Sequence, residues 1–347
     1  MTTPEPKSPG PVDDSSPRSA NIFDVARLAG VSHQTVSRVL NDLPNVRPTT
    51  RARVQQAITQ LRYSPSPAAR ALVSRRSLTI GLIVPGTSDY GRASITMHFN
   101  VAAREARYSV DTVALLGVEP PTVRAVVESL LRQKVDAIVL IVDDMSVLDV
   151  VREFDISIPF VAVAASARRS PSIVSIDQYR GARAAVRHLV EAGHSRILHV
   201  AGPLRSPDAI DRVRGWRDEL AAHRLPAVDP VHGDWSPASG YDLGRSLDVA
   251  QATGIFVAND LMAIGVLSAL RERDIFAPQD VSVVGFDDLP ESAFLMPPLT
   301  TVRQDFASLG SLMMQKVLLA IEEPETVTES TPLPTTLVVR GSTRSIS

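Results

Sequence analysis

The stretch IFDVARLAGVSHQTVSRVLN, residues 22–41, decides how the front of the chain folds. Asn21 is a good N-cap, Asp24 sits three residues on, and Ile22, Val25, Ala26 and Ala29 share one helical face. Gly30 then ends the helix. Ser32 can cap a second short helix in which Val36, Val39 and Leu40 form an i, i+3, i+4 stripe, leaving His33, Gln34, Ser37 and Arg38 outward. A third helix follows Pro48 and Thr49, with Val54, Ala57, Ile58 and Leu61 packing and Arg51, Arg53 and Arg62 outside. Three small helices make one miniature core.

On the upstream side, residues 1–20 hold five Pro and four Ser and almost no aliphatic side chains, a composition that predicts a disordered tail. On the downstream side, residues 64–77 (SPSPAARALVSRRS) form a Pro- and Arg-rich connector able to start a short helix at Pro67. Beyond it, strand-length apolar runs recur at 78–84, 110–116, 137–142, 160–164, 196–201, 254–258 and 281–286, with helical patterns between most of them. Such alternation predicts parallel sheets covered on both faces, and the number of strands predicts two of them, with ligands beyond the strands' C-terminal ends.

Charge separates along the same line. The 347-residue chain has a formal net charge of −2, yet residues 21–76 carry nine Arg against Asp24 and Asp42, a balance of +7, while residues 77–347 total −8. Concentrated positive charge favours a polyanion through phosphate neutralisation and counterion release. The chain has no cysteine, so it holds neither a disulfide nor a thiolate metal site. No secretory signal pattern and no run approaching ~20 apolar residues occurs, so a cytoplasmic protein with no membrane association is expected.

A helix presenting His33, Gln34 and Arg38 suits the ~12 Å major groove, where Gln pairs adenine and Arg pairs guanine bidentately. Three short helices also occur in many proteins that bind no DNA. The ordered motif of residues 22–41, with VRPTTRARVQQAITQLRYSP at 46–65, resembles the N-terminal domain of the LacI/GalR family of transcriptional regulators. The resemblance implies His33, Gln34 and Arg38 as base readers, with Asn21, Ser32, Thr35, Ser37 and Asn41 at phosphates or as caps. Residues 64–73 resemble the family's hinge, which implies a short helix containing Ala69 that drives Leu72 into the minor groove as an apolar wedge. The alternative for Leu72 is packing on the following domain.

The resemblance continues through GPL (202–204), GDWSPASGYDLG (233–244), FVANDLMAIGVLSAL (256–270) and DVSVVGFDDLPESAFLMPPLTTVRQDF (280–306). It implies an α/β, two-lobed, periplasmic-binding-protein-like effector domain with parallel sheets behind an all-α helix-turn-helix head. The domains are then a tail (1–20), the DNA-binding head (21–63), hinge and linker (64–77), the two-lobed effector and dimerisation domain (78–340) and a C-terminal tail (341–347). By the same resemblance, Arg212 fixes sugar hydroxyls, Trp235 stacks on a sugar face, Asn259 and Asp287 bond hydroxyls, and Gln304 and Phe306 lie near the crossover between lobes. Asn259 as a helix cap, Asp287 as a turn residue and Trp235 as ordinary core are the alternatives. Ala164 stands where the sugar-responsive pattern has an aspartate, so either the sugar lacks that hydroxyl or Asp89 substitutes.

Two other classes fit less well. An exported sugar-binding protein would need a signal and would gain nothing from residues 21–76. A glycosidase could use Asp260, Asp287 and Asp288 as acid and base, yet no Walker loop, HExxH, GxSxG or GxGxxG motif is present. His188, His194 and His199 read as structural and not as a zinc cluster. The expectation is a non-enzymatic, cofactor-free, homodimeric repressor of a pseudo-palindromic double-stranded operator. Its effector is a small sugar, with galactosides among the candidates, acting as inducer; corepression is the opposite sign that the family also uses. A dimer, not a tetramer, is expected because no helical zipper follows Arg340.

Overall fold

The computed structural model describes residues 20–40, 43–63, 76–86, 89–154, 157–164, 172–250, 252–324, 326 and 329–346. The chain divides between Ser77 and Leu78 into two compact units. Asn41, Ala69 and Leu72, three of the residues assigned to DNA from sequence, lie outside the described residues.

The first unit holds helices α1 (Ile22–Ala29), α2 (His33–Leu40) and α3 (Pro48–Gln60). Asn21 and Asp24 cap α1 reciprocally: the Asn21 side chain accepts from the Asp24 amide at 3.1 Å, and the Asp24 carboxylate accepts from the Asn21 amide at 3.0 Å. Gly30 closes the helix at φ 64°, a left-handed position that glycine adopts without steric cost. The Ser32 hydroxyl accepts from the Thr35 amide at 3.2 Å and so opens α2. Val25, Ala29, Val36, Val39, Val54 and Ala57 are buried together.

The second unit contains two lobes. The N lobe is built on β1 (Thr79–Pro85), β2 (Ser109–Leu115), β3 (Ala137–Ile141), β4 (Phe160–Val163) and β5 (Ile173–Val174), in the order β2-β1-β3-β4-β5. All of its pairings are parallel. Helices α4 (Tyr90–Glu105), α5 (Pro120–Arg132) and α6 (Met145–Arg152) connect them. Every residue of β3 is buried, which explains its unbroken AIVLI, whereas the edge strand β2 admits Ser109, Asp111 and Thr112. Successive residues point to opposite sheet faces, so Ile80 and Leu82 join one core while Ile83 joins the other.

The chain then crosses into the C lobe, whose helices are α7 (Gln178–Glu191), α8 (Pro207–Ala222), α9 (Pro237–Ser246) and α10 (Asp260–Glu272). Its parallel strands β6 (Ile197–Ala201), β7 (Val231–His232), β8 (Gly254–Val257) and β9 (Ser282–Val284) lie in the order β7-β6-β8-β9. After a 3-10 turn at Pro290–Phe294, β10 (Thr301–Gln304) bridges to the end of β9. The chain crosses back at Asp305 into α11 (Phe306–Glu322), which packs Phe306, Leu309, Met313 and Val317 onto the N-lobe sheet. It returns a third time through Leu333, whose amide donates to the Ser175 carbonyl at 2.9 Å, and ends in β11 (Thr335–Val338) antiparallel to β10.

The seven strand-length runs of the sequence all contain strands; β5, β7, β10 and β11, of two to four residues each, are too short to show a period. The segment 341–347, expected as a tail, is a correction. Ser342 is fully buried and exchanges hydrogen bonds with Val283 and Thr300, and the Ile346 amide donates to the Ala192 carbonyl at 2.8 Å. The bonds between Ser342 and Val283 cover the edge of β9, which would otherwise leave backbone groups unpaired.

Helices α9 and α10 approach so closely that a β-carbon on Gly265 would collide with the Pro237 carbonyl oxygen and the Tyr241 amide nitrogen. Backbone cannot rotate away. Gly265→Ala should therefore cost about 1–3 kcal/mol in urea denaturation, whereas Gly254→Ala, whose methyl would meet Leu189 at an ordinary 3.4 Å, should cost much less. Equal stability of the two variants would contradict this packing.

Candidate functional site

In the first unit, α2 presents His33, Gln34 and Arg38 as exposed side chains on the face opposite Val36 and Val39, and Ser37 is half-buried beside them. The His33 ring lies 5.3 Å from that of Phe23, which is itself exposed. Asn21, Ser32 and Thr35 have local structural duties: Asn21 caps α1, and the Ser32 and Thr35 hydroxyls are 3.0 Å apart at the start of α2. An exposed amide and guanidinium on one short helix are hydrogen-bonding groups matched to base edges.

In the second unit, a cleft lies beyond the C-terminal ends of the strands. Asp89 follows β1, Val142 follows β3, Ala164 follows β4, Trp235 follows β7, Asn259 follows β8 and Asp287 follows β9, and all of them line it. Arg212 reaches it from α8, Gln304 and Phe306 from the second crossover. The cleft holds about 50 Å³ of enclosed space, and about 620 Å³ when its open mouth is included. Two of its polar residues stand at left-handed backbone positions, Trp235 at φ 75° and Asp287 at φ 108°.

The cleft floor is one connected network. Arg212 is buried; its Nε donates to Gln178 Oε1 at 3.0 Å, one terminal nitrogen donates to the Ala258 carbonyl, and the other lies 3.5 Å from Asp287. Gln178 Nε2 donates to Gln304 Oε1 at 2.8 Å, and Gln304 Nε2 donates to Asp287 Oδ1 at 2.7 Å. The guanidinium also sits 3.9 Å from the Phe286 ring centroid and 5.2 Å from that of Trp235. Burial pushes the Asp287 carboxyl up to about 8 against the opposing pull of Arg212. At the rim, Arg205 of the C lobe grips Asp144 of the N lobe with two hydrogen bonds of 2.7 and 3.2 Å.

The structure thus gathers Asp89, Arg212, Trp235, Asn259, Asp287, Gln304 and Phe306 on one cleft, but with distinct duties. Asn259 caps α10 through its Oδ1 and donates from Nδ2 to the Trp235 carbonyl at 3.1 Å, so its amide already serves the fold. Asp89 caps α4 and is ion-paired with Arg92, which limits it as a substitute for the carboxylate missing at Ala164. Trp235 is 8% exposed and lies across Gly202, where a β-carbon would strike its ring. Sequence reasoning missed Arg92, Gln178 and Asp208, which also line the cleft. Gln178 follows a two-residue strand, and Asp208 stands in the first turn of α8, where an acidic residue reads simply as a helix start.

Of the three carboxylates of the glycosidase alternative, Asp287 alone lines the cleft. Asp260 is buried beneath the cleft, accepting from Leu289, Ser292 and Thr301, and burial raises it to about 6. Asp288 is clamped by Arg303 and Arg340. The three histidines have separate partners: His188 meets Thr343, His194 meets the Arg344 carbonyl, and His199, pushed down to about 3 by burial, stacks on Phe256. No group of three metal-ligating side chains is present among the described residues. No helix among them is long and apolar enough to cross a membrane.

The raised carboxyl gives a pH prediction. Because folded Asp287 keeps its proton where the unfolded chain has lost it, its contribution to stability is greatest at low pH and declines as pH rises from about 4 towards about 8. Asp287→Asn removes that decline, so the stability of the variant relative to the parent should rise between about pH 5 and about pH 8 in denaturant titrations. A pH-independent difference would show that Asp287 is ionised throughout.

Comparison with known proteins agrees with this arrangement. Residues 21–66 match the model for bacterial regulatory proteins of the lacI family, and residues 186–343 match that for a periplasmic binding protein-like domain. The lactose operon repressor of Escherichia coli strain K12 is 33% identical over 332 residues, covering 94% of this chain and 91% of its own. A solved lac repressor dimer bound to operator and the anti-inducer ONPF superposes with a TM-score of 0.85 at 30% identity, covering 94% of this chain and all of that one. A complex of the transcriptional regulator CelR with cellobiose gives a TM-score of 0.70 at 30% identity, covering 93% and 99%. The relatives named are transcriptional regulators and not enzymes. With a helix-turn-helix head, two parallel-sheet lobes and a relative of this identity over nearly its whole length, the chain belongs to the lacI family of bacterial regulatory proteins.

Proposed function

We propose that the chain is a cytoplasmic, non-enzymatic transcriptional repressor whose grip on a double-stranded operator is set by a small sugar in the cleft of its second unit. One observation carries the reading: the same chain pairs an exposed His33–Gln34–Arg38 face with a cleft of aromatic, carboxylate, amide and guanidinium groups. A sugar has hydroxyls for the polar groups and a C–H face for Trp235. Galactosides are candidates, and the sign proposed is induction. Asn21, Ser32, Thr35, Ser37 and Asn41 would serve as caps or phosphate contacts, and Ala69 and Leu72 would form the hinge that wedges the minor groove.

A homodimer matches a pseudo-palindromic operator with one recognition helix per half-site. Exposed apolar side chains support a self-association surface on both lobes: Phe276, Phe294 and Met296 on one, Met97, Val101 and Leu116 on the other. The lac repressor neighbour is likewise described as a dimer on operator.

Selection of a preferred duplex from a random pool, followed by fluorescence anisotropy, tests the reading. Specific affinity should fall steeply with salt as counterions return to the phosphates. Gln34→Ala and Arg38→Ala should each lose about 1–3 kcal/mol of specific affinity and far less of the non-specific component. Failure to prefer any duplex over random DNA would overturn the proposal.

A further inference from the structure

We infer that Asp208 is the carboxylate that receives the ligand's hydroxyls, and that the cleft accepts a neutral vicinal diol and turns away an anionic sugar. The inference rests on the reading of the cleft as a carbohydrate site and specifies what that site selects.

Three carboxylates line the cleft, and they differ in what they have left to offer. Asp89 is bound to the Arg92 amide and guanidinium. Asp287 is held by Gln304 and faces Arg212. Asp208, half-buried in the first turn of α8, has no hydrogen bond or ion pair among the described residues, although it faces the same space. Burial pushes its carboxyl above the usual range. A carboxylate brought out of bulk water without a donor gains more than an exposed one from each hydroxyl that reaches it. Its two oxygens can accept from two adjacent hydroxyls.

The opposite wall cannot take that part. On the N-lobe side Ile95, Ile141, Val142, Val163 and Ala164 are apolar and the one carboxylate, Asp89, is paired with Arg92, so the carboxylate with acceptors to spare comes from the C lobe. Both cleft cations are occupied: Arg92 is ion-paired with Asp89, and Arg212 bonds Gln178 and the Ala258 carbonyl beside Asp287. A phosphate or uronate would have to compete with Asp89 for Arg92 and with the bonds already made by Arg212, and would meet Asp208 as a like charge.

Calorimetry on the full chain tests this with galactose, glucose and cellobiose beside galacturonate and glucose 6-phosphate. The wild type should bind a neutral sugar and bind its anionic counterpart at least about tenfold more weakly. Asp208→Ala should weaken the neutral sugar about ten- to a hundredfold, and the near-isosteric Asp208→Asn should fall between the two. If the alanine variant fails to fold, the asparagine variant carries the test. Wild-type affinity in both variants, or equal wild-type affinity for neutral and anionic sugars, would overturn the inference and leave the sugar reading standing. Absence of wild-type binding to every sugar would overturn both.

Discussion

The arrangement of the second unit follows from one buried positive charge. Withdrawing the Arg212 guanidinium from water costs several kcal/mol unless its donors are satisfied and its charge is balanced. Its donors are met by Gln178 and the Ala258 carbonyl, and its charge by the face of Phe286 and by Asp287 as that carboxyl ionises. These partners come from different places: Gln178 opens α7 just after the first crossover, and Gln304 ends β10 just before the second. The bonds that link the partners of Arg212 to one another therefore also fasten two of the connections between lobes to the cleft floor.

That shared use gives a physical basis for regulation. A ligand that bonds Arg212 or Asp287 competes with the bonds that hold the crossovers, and a ligand that draws the walls together acts on the Arg205–Asp144 grip at the rim. A ligand shifts an equilibrium only by its difference in affinity for the two arrangements, and packed interfaces have few intermediate arrangements to occupy. Because coupling is reciprocal, an operator that favours one arrangement must change ligand affinity by the same factor.

How much of this was legible in the sequence depended on how local its signal was. The head was fully legible in its described part because Asn21, Asp24, Gly30 and Ser32 are capping signals read within a few residues. The long buried strands were legible through unbroken apolar runs such as AIVLI. Short strands and the packed segment 341–346 were not, since their order comes from partners far along the chain, as when Ser342 pairs with Val283. In the cleft, residues carried by the family resemblance were found, but their duties were not. That Asn259 is a cap, that Asp89 is tied to Arg92 and that Asp208 has no partner among the described residues are facts of three-dimensional neighbourhood.

The most direct test measures operator affinity by fluorescence anisotropy at fixed salt, with and without a saturating sugar that calorimetry shows to bind. The account predicts a shift of about five- to 150-fold. A sugar that occupies the cleft while operator affinity stays unchanged would contradict it.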